Sequence, residues 1–333
     1  MIKITVGIKA LNEEAHIGEA LASAVAAVTP FGGEVVLADS GSTDRTVEIA
    51  RTYPVRIVQL ANRNERCCGA GAQLAFQHAN GEYFYLLDGD MVLNPAFIEA
   101  GIAYLEANPG FAAVGGLVCE RNTEGEGFQI RAASVAKDRH WLPGIVDRLD
   151  CGGLYRASAV REAGYFADRN LHAFEEFDLA ARLQAHGWKL ARIDVPQIDH
   201  FGHTTPGYQL LWRRLRSGYS GGPGEVLRGA LGQPHLKLVL RKLGHVRNGL
   251  AVIAWWAMLL ASLLLGQPLI FLALIAIPLA LLSWRRGSFQ LGLYSLAAWN
   301  VTAWGLLTGF FRGRVTPRKP LDSIDLSPGR TAS

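Results

Sequence analysis

The sequence predicts an α/β fold: a mostly parallel sheet with helices on both faces, followed by membrane helices. Three observations predict it. From residue 1 to about 119, short β-branched runs alternate with helical stretches, the pattern of strands joined by crossover helices. Acids and turn residues collect where those runs end, at the rim where such sheets bind ligands. The C-terminal third contains two long stretches, 248–284 and 287–311, without one Asp, Glu, Lys or Arg.

The strands are expected at "IKITVGI" (2–8), "EVVLAD" (34–39), "VRIVQL" (55–60), "EYFYLLD" (82–88) and "AAVGGLV" (112–118). Helical periodicity fills the gaps: "EAHIGEALASAVAAV", "TDRTVEIARTY", "GAGAQLAFQHA" and "PAFIEAGIAYLEA". Asn94-Pro95 and Asn108-Pro109 punctuate the last of these at both ends. Residues 120–205 are less regular, but 175–187 reads as a helix with Leu179, Leu183 and the aliphatic part of Arg182 on one face. The organisation expected is a domain over 1–205, with a nucleotide half (1–119) and an acceptor half (120–205). A basic amphipathic region (206–247), a membrane domain (248–311) and a tail (312–333) follow, and residues 317–333 are expected to be mobile.

Strand ends select the residues to watch: Asn12, Glu13 and Glu14 after the first run, Asp39 with "SGSTD" after the second, Asp88 and Asp90 after the fourth. Two carboxylates about 6–7 Å apart along the chain at a strand end repel unless a cation sits between them. Hard oxygen donors at n and n+2, with glycine between, suit a divalent ion that keeps waters and also binds phosphate. Held on a diphosphate, such an ion acts as a Lewis acid toward a leaving nucleoside diphosphate. Simpler readings stand beside these. Asp44 can be a turn and helix-cap residue, and the acids Glu175, Glu176 and Asp178 are also what a helix N-terminus favours. Gly152 and Gly153 mark either close backbone approach to an acceptor or only a bend.

"GIKALNEEAHI", "VVLADSGSTDRTVEIA", "ANGEYFYLLDGDM" and "FEEFDLAARLQAHGWKL", in this order and at these separations, resemble the family 2 glycosyltransferases with the GT-A fold, over roughly residues 2–205. The resemblance implies a nucleotide-diphospho-sugar transferase-like sheet and an inverting, metal-dependent transfer. Ala10, Asn12, Glu13, Asp39 and Asp88 match the positions that hold the nucleoside. Asp88 and Asp90, completed by His200 or His203, match the seat of Mg2+ or Mn2+. Glu176 matches the usual catalytic base, with Asp178 or Glu175 as substitutes. Two departures follow from the same comparison. Glu176 stands where the family generally has Asp, and "GAGAQLA" replaces an A-R-N run, so a basic donor contact is expected from Arg63 or Arg66. The Q-x-x-R-W signature of processive synthases is absent, which favours non-processive transfer. Gly152, Gly153, Arg213 and Arg214 are the candidate acceptor or diphosphate contacts.

Between Thr205 and Leu250 eight basic residues face one acid, Glu225, a collar that suits anionic membrane lipids better than nucleic acid. The first charge-free stretch of 37 residues would be about 55 Å long as one helix, against a hydrocarbon core of about 30 Å. It is therefore expected to fold back at "GQP" (266–268) into spans over 249–265 and 268–284. Arg247 and Arg285-Arg286 fall on one side, as the positive-inside rule asks. A third apolar segment, 289–311, is left between two topologies, since spanning would carry Arg312, Arg314, Arg318 and Lys319 to the opposite side. Four cysteines without C-x-x-C spacing read as reduced thiols, and "MIKITVGIKALNEE" does not read as a signal peptide.

These features place the protein in a cytoplasmic membrane, multi-pass, with its N-terminal domain cytosolic. It is expected to act on a nucleotide-diphosphate sugar and a lipid-linked or saccharide acceptor, in envelope polysaccharide or glycolipid synthesis. If the acceptor is a polyprenyl phosphate, already an anion, no general base is required. A nucleotidyltransferase would need a glycine-rich basic loop after the first strand, where "KALNEE" is acidic. A non-catalytic membrane component would be expected to carry ionisable residues within its spans, and these have none.

Overall fold

Four expected strands lie side by side at the centre of one sheet. The structure, a computed structural model, describes residues 2–121, 139–201 and 206–327. Strands β1 (Ile4–Ala10), β2 (Glu34–Asp39), β3 (Arg56–Leu60) and β4 (Tyr83–Asp88) are mutually parallel in the order β3-β2-β1-β4. Their near-continuous apolar runs are what a strand covered on both faces requires. Helices α1 (Ile17–Val28), α2 (Thr46–Ala50), α3 (Cys68–Gln77) and α4 (Pro95–Ala107) are the crossovers. The first, second and fourth pack on one face around Ile8, Leu21 and Phe97. The third packs on the other face, around Phe84 and Leu74, with α5 (Ala157–Glu162) and α6 (Glu175–Ala185).

Beyond β4 the sheet changes direction. β5 (Met91–Leu93), β6 (Phe111–Glu120), β7 (Gly144–Val146), β8 (Gly153–Arg156) and β9 (Lys189–His200) complete that side in the order β4-β8-β6-β9-β5, with β7 also on β9. The fifth expected run, β6, is therefore not the next parallel strand: β8 inserts antiparallel between β4 and β6. β6 and β9 run parallel with bulges, and β5 closes the edge antiparallel to the last residues of β9. This crossing brings Met91, Glu120 and His200 into one row.

The described residues form two compact units, one comprising 2–121, 139–201 and 314–327, the other 206–313. The tail expected to be mobile belongs, over its described part, to the first unit. β10 (Ser323–Asp325) adds antiparallel to the edge of β3, and Leu321 is 2 % exposed. Gln77 holds both backbone groups of Leu321, while Arg314 pairs with buried Asp168 at 2.7 Å. An exposed strand edge is thereby covered, which the tail's own composition does not announce.

The second unit is helical: α7 (Gly207–Arg216), α8 (Gly222–Ala230), α9 (Leu236–Lys242), α10 (Gly244–Leu264), α11 (Pro268–Arg286) and α12 (Phe289–Phe311). α10 and α11 are long and apolar enough to cross a membrane by length and composition. They turn at Gly266, which takes φ +62°, with Pro268 opening α11. α10 begins five residues before the span expected at 249, because Gly244 to Arg247 already continue the helix.

Candidate active site

The two aspartates of "DGD" face different partners. Asp88 ends β4 opposite Lys9 of β1, and the lysine Nζ lies 3.2 Å from its Oδ1 and 2.6 Å from Glu175 Oε1. Burial alone would lower the Lys9 pKa, but the neighbouring Asp88 and Glu175 outweigh it and hold the ammonium well above its ordinary value. The Asp88 carboxyl is raised, by desolvation first, with Lys9 opposing and Asp90 and Glu175 adding like charge. Because 36 % of its side chain is open to solvent, that shift carries little energetic weight. Gly89 is required between the two: a Cβ there would stand 2.9 Å from Glu13 Cγ and 3.3 Å from Ala10 Cβ. The triplet is thus pressed against the loop after β1.

Asp90 turns toward β9. Its Oδ2 lies 3.7 Å from His200 Nε2, while His200 Nδ1 meets Glu120 Oε2 at 2.7 Å. Burial opposes charge on this imidazole, but Asp90 and Glu120 prevail and raise its pKa to about 9. Donors about 2.1 Å from a shared ion stand roughly 3–3.7 Å apart, so the Asp90–His200 gap fits a divalent cation. Glu120, on Nδ1, leaves Nε2 on the side of Asp90, the arrangement in which a carboxylate would orient a ligating histidine. Cys151 also comes near, since one ligand atom each from Glu120, Cys151 and His200 lies within 4.8 Å of the others. An imidazole beside carboxylates suits Mn2+ at least as well as Mg2+. His203, the other histidine considered, lies outside the described residues.

The three acids at the start of α6 separate completely. Glu175 is buried against Lys9. Asp178 is 3 % exposed and binds Arg182 Nε at 2.8 Å, an i,i+4 pair whose guanidinium also donates to the carbonyls of Tyr165 and Phe166. Those two carboxylates are committed to structure. Glu176 accepts, among the described residues, only the Gly152 N–H, at 2.8 Å, and burial lifts its pKa to about 8.

Gly152, at φ +83°, has no room for a side chain: a Cβ would stand 2.5 Å from the Leu86 carbonyl oxygen. Its N–H is spent on Glu176, and the space beside Gly153 is filled by Leu149, so these glycines form the bend of β8 and position Glu176. Buried Arg192 donates to the Asp150 carbonyl at 3.0 Å and buried Gln197 to that of Cys151 at 3.3 Å, which holds the turn. Asn12, Cys151 and Phe174 are the non-glycine residues at positive φ among those described. They sit at the first loop, this turn and the N-cap of α6, so backbone strain gathers around one rim.

The loops after β1 and β2 form a web of contacts. Asn12 Oδ1 accepts from Thr43 N at 2.8 Å and its own N–H donates to Ser42 Oγ at 2.9 Å. Asp39 is fully buried, taking the N–H groups of Gly41 and Ser42 and the amide of Gln59, so it shapes this turn. Asp44 accepts from Thr46 N and Oγ1 and ties down Glu14 N. Arg66 is exposed, and Arg63 lies over Gly41, within 3.0 Å of where its Cβ would be. Arg213 and Arg214 are on α7, in the second unit.

Sequence reasoning missed Lys9, Glu120, Arg192 and Gln197. A lysine inside an otherwise apolar strand was the available signal for the first; the others depend on pairings between distant segments.

The glycosyl transferase family 2 model matches residues 5–164. A relative from Bacillus subtilis, named "Putative glycosyltransferase EpsE", is 30 % identical over 167 residues, 47 % of this chain and 58 % of that one. An uncharacterized protein of Mycobacterium tuberculosis is 35 % identical over 103 residues, 29 % of this chain and 30 % of that one. The chain therefore spans less than two thirds of these curated relatives. Among solved structures, the mannosyltransferase PcManGT from Pyrobaculum calidifontis, in complex with GDP-Man and Mn2+, superposes with a TM-score of 0.59 at 22 % identity, covering 91 % of this chain and 87 % of that one. S. aureus TarS 1-349 in complex with UDP-GlcNAc gives 0.53 at 15 % identity, with 86 % and 93 % covered. Residues 5–164 thus match glycosyl transferase family 2, and the sheet that ends at Asp88, with the helix that carries Glu176 packed on it, has the GT-A fold of these solved structures.

Proposed function

We propose that the protein is a membrane-bound, inverting, metal-dependent glycosyltransferase that moves a sugar from a nucleotide-diphosphate sugar to a lipid-linked or saccharide acceptor. The observation that carries this reading is the isolation of Glu176. Of three neighbouring acids it alone, among the described residues, makes no side-chain ion pair, being held by one backbone N–H, and burial raises its pKa to about 8. In-line displacement at an anomeric carbon needs a base on the acceptor side and charge stabilisation on the leaving side.

In this reading Glu176 takes the proton of the acceptor hydroxyl, and the Gly152 N–H keeps its carboxylate aimed. Asp90 and His200 hold Mg2+ or Mn2+, with Glu120 orienting the histidine. The ion, when bound, supplies positive charge to the departing diphosphate. Lys9 fixes Asp88 and Glu175 at a set distance and adds a cation beside the same region. Asn12, Glu13 and the turn shaped by Asp39 form the wall for the nucleoside, and exposed Arg66 is available to the phosphates. Arg213 and Arg214 serve the acceptor or lipid phosphate. α10 and α11 anchor the protein as a hairpin in the cytoplasmic membrane, with the N-terminal unit cytosolic, where it takes part in envelope polysaccharide or glycolipid synthesis.

The test is transfer from labelled nucleotide sugars by membranes carrying the protein, with manganese. Asp90→Ala abolishes it in this account, and transfer that survives the substitution rejects the site.

A further inference from the structure

We propose that α12 does not cross the membrane but lies along its surface, on the side of the N-terminal unit, with its exposed aromatic face set into anionic lipid. This rests on the reading of α10 and α11 as spans, and on three further observations.

The first is parity. The residues that follow α12 return to the N-terminal unit, where β10 extends the sheet, Leu321 is buried and Arg314 pairs with Asp168. The chain must therefore cross an even number of times between α6 and Arg314. α10 and α11 supply two crossings, and a third would leave the tail on the wrong side of a barrier it could not re-enter. Length does not decide the matter, since 23 residues of helix reach about 35 Å.

The second is where α12 is held. At its end, Arg312 pairs with Glu225 of α8, a helix that precedes the first span. Close backbone contacts accompany that pair: a Cβ at Gly309 would stand 2.0 Å from the Gly221 carbonyl oxygen, and one at Gly224 2.1 Å from that of Leu306. At its beginning, Gly292 packs on Ser283, near the end of α11. Leu306, near the end of α12, also lies against Gly249 near the start of α10, so both ends of α12 meet the same end of the hairpin, whereas a spanning helix would have one end at each.

The third is the surface it presents. Phe289, Leu293, Trp304 and Phe311 recur at helical spacing and are 62, 43, 54 and 78 % exposed. Arg285 and Arg286 stand before the helix and Arg312 after it. Aromatic residues on one face with cations at the ends describe a helix at the headgroup level. This placement also puts Arg247, Arg285, Arg286 and the basic tail on one side, as the positive-inside rule asks.

The experiment uses the full chain with an epitope tag at each end, in sealed membrane vesicles of known orientation, treated with protease. The proposal expects both tags to be lost together, or both protected together, as orientation is reversed. A Gln267→Cys variant is expected to react with an impermeant maleimide only from the opposite face, and a Thr308→Cys variant not from that face; labelled sites are read by peptide mass. Tags on opposite sides, or Thr308→Cys labelled from the same face as Gln267→Cys, overturn the proposal. Release of the protein by alkaline carbonate is a separate result: it removes the membrane reading itself, and this one with it.

Discussion

Lys9 of β1 stands between Glu175 at the head of α6 and Asp88 at the end of β4, 2.6 Å from the one and 3.2 Å from the other. One strand lysine therefore links the head of α6 to the end of β4. Removing it leaves Glu175, 8 % exposed at its side chain, without a counter-charge.

Lys9→Met is expected to destabilise the fold by about 3–5 kcal/mol, the cost of stranding one partner of a buried pair. Chemical denaturation measures it. The double change Lys9→Met with Glu175→Gln is expected to recover much of that loss, because no unpaired charge remains.

Asp178 and Glu176 should separate stability from activity. Asp178→Asn loosens the buried bond to Arg182 and lowers the midpoint of unfolding. Glu176→Gln keeps the acceptor for the Gly152 N–H, so stability changes little while kcat falls. Comparing unfolding curves and rates for the two variants checks both halves.

The pH profile follows from burial. With Glu176 raised to about 8, a base that must be ionised gives a rate that climbs as pH passes through that value. Below it the rate falls about tenfold per pH unit, with saturating metal and donor.

Metal affinity should depend on pH in the same direction, through another residue. His200, raised to about 9 between Asp90 and Glu120, must lose its proton before Nε2 can ligate, so apparent affinity weakens as pH falls below that value. In the metal-free protein the sign reverses for stability. A histidine pKa raised from 6.5 to about 9 contributes stability that is complete below about pH 6.5 and lost as pH rises through about 9. Glu120→Gln is expected to weaken Mn2+ binding about 10–100-fold, read by calorimetry.

The central sheet was legible because β1 to β4 are buried on both faces and read as unbroken apolar runs, each found within two residues of its observed bounds. A histidine near Asp90 was expected from the family resemblance, which left His200 and His203 open, and His200 is the one that lies 3.7 Å from it among the described residues. Lys9 was not, since nothing local says that residues 9, 88 and 175 converge. The division among Glu175, Glu176 and Asp178 was half visible: Asp178 and Arg182 are spaced as a helical ion pair. What singles out Glu176 is the Cys151–Gly152 turn, fixed by Arg192 and Gln197 from another strand. The tail misled because its three-residue strand has no periodicity of its own and gains order only from the β3 edge.

The most direct measurement is the transfer rate of Glu176→Gln against wild type, with Mn2+ binding followed in parallel. The account predicts a fall in kcat of about 10²–10⁴ with metal affinity unchanged. A rate within about threefold of wild type would contradict it, and would favour an acceptor that arrives already ionised, such as a lipid phosphate.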